Sequence, residues 1–143
     1  MIKRTIEFTT PEGEKKERDY YFHLTEYEAL EINLMDELDS VAKSEDKGRI
    51  ISALRRIVRK SVGFKIGNEF AKNDGFSDQF MASDAFSKLM MSILTSKNPE
   101  RASALFIRGI MPQELIDKLA DDDKIKEEIA EMEDLVVEDN TDS

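Results

Sequence analysis

Ile2-Lys3-Arg4-Thr5-Ile6-Glu7-Phe8-Thr9, then Pro11-Glu12-Gly13-Glu14, then Glu17-Arg18-Asp19-Tyr20-Tyr21-Phe22-His23-Leu24, then Thr25-Glu26-Tyr27-Glu28: these opening residues decide the fold class. The first run places Ile2, Arg4, Ile6 and Phe8 on one side of an extended segment, because side chains alternate with a period of two in a strand. Proline and glycine within four residues make a turn. The aromatic run that follows has strand composition, so the three pieces together predict a β-hairpin. Its register stays open: Tyr20, Phe22 and Leu24 compete with Tyr21 and His23 for the inner face. Thr25 and Glu28 have the spacing of a capping box, in which a hydroxyl and a carboxylate each satisfy a free backbone N–H. A hairpin that ends on a helix start predicts an α+β domain.

Further along the chain, helical spacing dominates. Tyr27, Leu30, Leu34 and Leu38 recur every three or four residues and predict one helix. Residues 39–48 read as a polar connection. In residues 49–62, Ile50, Ile51, Leu54, Ile57, Val58 and Val62 fall in one arc, with Arg49, Arg55, Arg56, Arg59 and Lys60 opposite. Residues 64–73, around Gly67-Asn68, fit either a short hairpin or an irregular loop. Ser77 is placed to cap a short turn holding Phe80 and Met81. Ser83 is placed to cap a helix carrying Phe86, Leu89, Met90, Ile93 and Leu94. Asn98-Pro99-Glu100 opens another helix, with Ala102, Leu105, Phe106 and Gly109 on one face. Pro112 opens a last short helix with Leu115, Ile116 and Leu119. The expected architecture is mostly α-helical, with an N-terminal hairpin packed on five or six helices and an acidic C-terminal tail.

Charge divides the chain in two. The net charge is −10 over 143 residues, and residues 121–143 hold 11 of the 31 acids but only 2 of the 21 bases. The body is therefore nearly neutral. We read residues 1–120 as one globular domain and 121–143 as an acidic tail. Ile125, Ile129, Met132 and Val136 give that tail a stripe, which predicts a marginal amphipathic helix near 122–136 followed by disorder. An acidic balance argues against general binding to nucleic acid or anionic membranes. No apolar run has the length of a membrane span, and the first residues lack a signal-peptide pattern, so we expect a cytoplasmic protein.

Few residues suit catalysis. There is no cysteine, which removes thiol chemistry and zinc-thiolate sites, and His23 is the one histidine. His23 reads as a strand residue, since no nucleophile pattern accompanies it. Asp84, Glu69 and Asp74 match no calcium loop. We expect no enzyme, no cofactor and no metal.

Two constellations suit protein contacts. Phe80, Met81, Met90 and Met91 cluster in sequence, and methionine adapts to varied apolar partners. Plain core packing is the alternative, most of all for the strictly periodic positions. The basic face Arg55, Arg56, Arg59 and Lys60 reads in three ways: a docking face for an acidic partner, the solvated side of a core helix, or a surface covered by the chain's own acidic tail.

The order of these segments carries a resemblance. The opening Met1–Phe8 leads through a polar turn to Tyr20-Tyr21-Phe22-His23-Leu24-Thr25. Later come Asp84-Ala85-Phe86-Ser87-Lys88-Leu89-Met90 and Ala104-Leu105-Phe106-Ile107-Arg108-Gly109-Ile110-Met111-Pro112. Over about residues 1–115 this resembles the tail assembly chaperones of long-tailed bacteriophages and related prophages. Ser83 to Pro112 is the most specific part. The resemblance implies a protein that binds the phage tape measure protein, keeps it soluble, helps recruit tail tube subunits and is absent from the finished virion. It also implies that many such proteins have a longer frameshifted form. Phe80, Met81, Met90 and Met91 are then candidates for the client face, with the basic face as an electrostatic guide, and a homo-oligomer is a further candidate assembly. The competing reading is an acidic DNA mimic or regulatory inhibitor that uses its tail against a basic partner.

Overall fold

The computed structural model describes residues 1–119. The domain boundary expected at residue 120 and the tail beyond it lie outside the described residues. Two strands open the chain, β1 (Ile2–Thr9) and β2 (Lys15–Phe22), followed by α1 (Glu26–Glu31), α2 (Leu34–Lys43) and α3 (Lys47–Ser61). A second pair, β3 (Val62–Ile66) and β4 (Glu69–Ala71), leads to α4 (Asp74–Met81), α5 (Asp84–Leu94), α6 (Pro99–Ile110) and α7 (Gln113–Leu119). The fold is α+β, as expected, but two details differ from the sequence reading. The described residues form seven helices rather than five or six, and the hairpin is half of a four-stranded antiparallel sheet in the order β1-β2-β3-β4.

The sheet grows because residues 62–71 resolve as a hairpin. Gly67 turns it with φ +63, a left-handed conformation that glycine adopts without a side-chain clash. Val62 pairs with Phe22 and Gly63 with Tyr21, so the second hairpin docks on β2. The first hairpin pairs Ile2 with Phe22, Arg4 with Tyr20, Ile6 with Arg18 and Phe8 with Lys16. Tyr20, Phe22 and Leu24 take the inner face and are buried, which resolves the register. Phe22 meets the edge of Phe106 from α6, with ring centroids 5.3 Å apart.

The expected helix from Tyr27 to Leu38 is broken. Asn33 has φ 52, and a left-handed residue ends α1 and re-aims α2. The apolar stripe therefore splits. Leu34 and Leu38 are buried, whereas Tyr27 and Leu30 are 72% and 69% exposed. The capping box at Thr25 and Glu28 forms as expected. The polar connection is shorter than expected, because α2 continues to Lys43 and buries Val41. Val41 extends the spacing of Leu34 and Leu38, so one apolar residue in a polar run was enough to prolong the helix.

Smaller shifts occur elsewhere. In α3 the buried arc holds, except that Ile51 lies at its exposed margin and Val62 belongs to β3. Asn73, not Ser77, caps α4, accepting a hydrogen bond from the Phe76 N–H. Ser77 is buried inside that helix. Asn98 caps α6 as expected, accepting from the Arg101 N–H at 3.1 Å. The buried face of α6 is turned toward Ala104, Phe106, Ile107 and Ile110, leaving Ala102 and Leu105 half-buried.

Candidate functional site

The first hairpin overhangs its helices. Near the Ile2 and Phe22 end the inner face packs on α6, with Arg4 over the Phe106 ring, whereas toward the turn the same face carries the exposed Arg18 and Lys16. The α4–α5 corner faces this overhang, and the space between them is a groove of about 660 Å³. Its lining comes from Phe8, Glu12, Lys16 and Arg18 of the hairpin and its turn and from Gln79, Ser83 and Asp84 of the corner. A recess of about 70 Å³ continues inward to Tyr20, Phe76 and Phe80. Tyr20 lies 4.8 Å from Phe80 and 6.4 Å from Phe8 between ring centroids, so the floor is a connected aromatic cluster.

Local bonds fix the corner. The Thr9 N–H donates to the Asp84 carboxylate at 2.9 Å, tying the end of β1 to the start of α5. The Ser83 hydroxyl donates to the Phe80 carbonyl at 2.7 Å. Along α5, Asp84, Lys88 and Met91 recur at intervals of four and three and so share a face. Lys88 lines a further hollow of about 420 Å³ with Glu7, Phe8 and Thr9. The surface thus runs from the aromatic groove past Lys88 to Met91, which is 52% exposed.

The sequence candidates are divided by this geometry. Phe80 and Met90 are 2% and 6% exposed and belong to the core. Phe80 is held there by rings of Tyr20, Phe22 and Phe86. Met81 is half-buried against the core, and Met91 is open to solvent. On α3, Arg56 pairs with Glu37 of α2, Arg59 with Asp78 of α4, and Lys60 with Glu31 of α1. Three of the four candidate cations are thereby used between helices, and only Arg55 has no ion pair among the described residues. Lys16, Arg18 and Phe8 escaped the sequence reading. Their signal was present, since two cations on the inner side of a strand mark a face that leaves the core.

A second cluster is structural. The Lys72 ammonium donates to the carbonyls of His23 and Lys60 and to the Glu28 carboxylate, at 3.1, 3.0 and 2.6 Å. One side chain so ties β4 to the ends of β2 and α3 and to the start of α1. Burial opposes ionisation of Glu28, but hydrogen bonds from Lys72 and Thr25 outweigh it and hold its carboxyl below the usual range. Burial lowers the pKa of His23, helped by the positive N-terminus and Lys72 and opposed by Glu28 and Glu114. Among the described residues no group of three potential ligands is placed to hold a metal, and no helix is long and apolar enough to cross a membrane.

What the fold and surface define is a small α+β domain that presents an aromatic groove whose rim mixes Lys16 and Arg18 with Glu12 and Asp84, beside a helix bearing an exposed methionine. The chain belongs to the phage tail assembly chaperone family, whose sequence model matches residues 1–143. No curated protein and no solved structure matches it. Family membership makes the protein a chaperone of phage tail assembly, with protein partners in the tail.

Proposed function

We propose that the chain binds the tape measure protein, keeps it soluble in the host-cell cytoplasm, helps recruit tail tube subunits, and is left out of the finished virion. Family membership over the whole chain carries this reading. A tape measure protein offers long amphipathic helices, and such a helix docks its apolar face into an adaptable groove. The client surface is the groove together with the outer face of α5. Met81 and Met91 are its flexible apolar contacts, while Phe80 and Met90 support it from the core. Arg55, Arg56, Arg59 and Lys60 act as a weaker electrostatic guide, since most of that charge is already paired.

Co-expression with the neighbouring tape measure gene tests the reading. The tape measure protein should remain soluble and copurify, and a tape measure protein that stays aggregated and unbound would overturn it. The variant Met91→Lys, at a position open to solvent, should keep a cooperative melt and lose the client. Undiminished copurification by the folded variant would move the client surface elsewhere.

A further inference from the structure

We infer that the free edge of β1 is a two-fold contact, where the strand pairs antiparallel with the same strand of a second copy of the chain. The inference does not depend on which client the chaperone carries. The sheet order leaves β1 and β4 at its edges. β4 has three residues, whereas β1 has eight and pairs with β2 without a bulge. Long edges are templates for another strand, and proteins usually shorten, kink or cover them. Hydrogen bonds fix which groups of β1 face outward. The His23 N–H donates to the Ser61 carbonyl beside β3, so odd-numbered residues of β2 turn their backbone groups to β3 and even-numbered ones to β1. Ile2, Arg4, Ile6 and Phe8 answer those groups, which leaves the N–H and C=O of Lys3, Thr5, Glu7 and Thr9 pointing outward. Asp84 holds the Thr9 N–H. The backbone groups of Lys3, Thr5 and Glu7 have no partner among the described residues, and their side chains are exposed.

Charge selects the occupant and the register. In an antiparallel pair centred on Thr5, Lys3 stands opposite the partner's Glu7, Thr5 opposite the partner's Thr5, and Glu7 opposite the partner's Lys3. Each such pair exchanges both of its N–H···O bonds, and the charged pairs lie on the solvent face. On the other face Ile2 meets the partner's Phe8, two side chains that are half-buried in the single chain, and Arg4 meets the partner's Ile6. No other antiparallel register pairs the charges. A shift of two residues one way sets Lys3 against Thr5 and Glu7 against Met1. The opposite shift sets Glu7 against Thr5 and Lys3 against Thr9, whose N–H is already held. Further shifts oppose Lys3 to Lys3 or Glu7 to Glu7.

Within one chain the charges of this edge are incompletely matched. Glu7 lies directly across from Glu17 of β2, a like-charge pair that costs free energy. Lys15 and Lys88 border the same hollow, but Glu7 has no ion pair among the described residues. Lys3 is held by Asp19 at 3.6 Å with both side chains about half exposed, so its ammonium remains open to a second carboxylate. Arg4 is turned to the core face over the Phe106 ring instead of guarding the edge. The edge is therefore self-complementary, and an isologous contact closes at two copies instead of growing into a fibre. The two four-stranded sheets become one, with a client groove toward each end of the joined strands.

Sedimentation equilibrium of the full-length protein at physiological ionic strength tests the pairing. The unaltered chain should approach twice the mass of one chain as concentration rises. Lys3→Glu and Glu7→Lys each oppose like charges at both ends of the joined strands, and each should raise the dissociation constant about tenfold or more. An equal mixture of the two variants should dimerise again, because each reversed charge then meets its opposite. Both positions are exposed, and circular dichroism checks that the variants fold. If either fails to fold, Thr5→Cys decides alone. The chain has no other cysteine, and opposed Cα atoms about 5.5 Å apart suit a disulfide across the axis. Mild oxidation should give a covalent dimer of the Thr5→Cys protein but not of Tyr27→Cys, at a well-exposed site on α1. A chain that stays at single mass, an assembly unmoved by both reversals, a mixture that fails to dimerise, or no cross-link at Thr5 would overturn the inference.

Discussion

At the scale of single residues, Gly63 and His23 carry the sharpest expectations. A Cβ on Gly63 would stand 2.4 Å from the Ala71 carbonyl oxygen and 2.6 Å from the Phe70 ring, so it collides with the backbone of β4 as well as a side chain. Overpacking of this kind costs about 1–3 kcal/mol, and a backbone neighbour yields least. Gly63→Ala should lower the thermal midpoint by circular dichroism. Gly75→Ala in α4 should raise it, since its nearest contact is an ordinary 3.5 Å and alanine is the better helix former by about 0.5–1 kcal/mol. His23 was legible only as a strand residue, because nothing in the sequence says that its Nδ1 is buried without a hydrogen-bond partner. Its folded pKa is lowered, so the unfolded chain takes up a proton more readily. The resulting stability is present above the unfolded pKa near 6.5 and is lost as pH falls through the lower folded value. Glu28 adds a later loss, below its ordinary value of 4.5. Thermal melts should therefore weaken in two stages on acidification, and His23→Gln should remove the first. A midpoint in the His23→Gln protein that still drops just below about pH 6.5 would show that another group titrates there.

Elements were legible where periodicity was strong and hidden where one backbone residue overrides it. The hairpin, α3, α5 and the Asn98 cap of α6 follow directly from spacing and capping chemistry. Tyr27 and Leu30 looked like the start of a buried stripe because helical spacing assumes an unbroken axis, and nothing but Asn33 marks the break. Asparagine tolerates the left-handed region, yet most asparagines do not adopt it, so the sequence alone underdetermines the turn. β3 and β4 were ambiguous for a different reason. Five and three residues are too few for a clear alternation, and it is their pairing with β2 that decides the structure. Of the candidate site, the α4–α5 neighbourhood and Met91 were legible from residue spacing. The groove required the hairpin to overhang that corner, which is tertiary information. The split of α1 and α2 has a direct consequence. Tyr27→Lys with Leu30→Lys should change stability by no more than about 0.5 kcal/mol, the usual range for surface substitutions, whereas Leu34→Ala and Leu38→Ala should each cost about 2–5 kcal/mol. Urea unfolding of the three proteins checks the contrast, and equal losses would put Tyr27 and Leu30 back in the core.

For the whole molecule, the described apolar core and most of the negative charge lie in different parts of the chain. Among the described residues the buried apolar side chains run from Ile6 to Leu115, and they join both hairpins and the helices into one cluster. The negative charge lies beyond them: residues 121–143 account for −9 of the −10. A chain ending at Leu119 keeps the whole of that cluster and a net charge near −1. It should unfold cooperatively, because the core contacts that make unfolding all-or-none remain. It should also self-associate near neutral pH, because a surface with little net charge loses the repulsion that keeps exposed apolar groups apart. Tyr27, Leu30, Ile66 and Met91 are such groups. Calorimetry and light scattering separate the two effects. The expected result is a sharp melt at low concentration together with scattering that grows with concentration at pH 7 and recedes as pH is moved away from the new isoelectric point. A broad melt would mean that the acidic segment supplies part of the core. A sharp melt with no added association would mean that the body is soluble by itself, and that the acidic charge serves a contact rather than the dispersal of sticky surfaces.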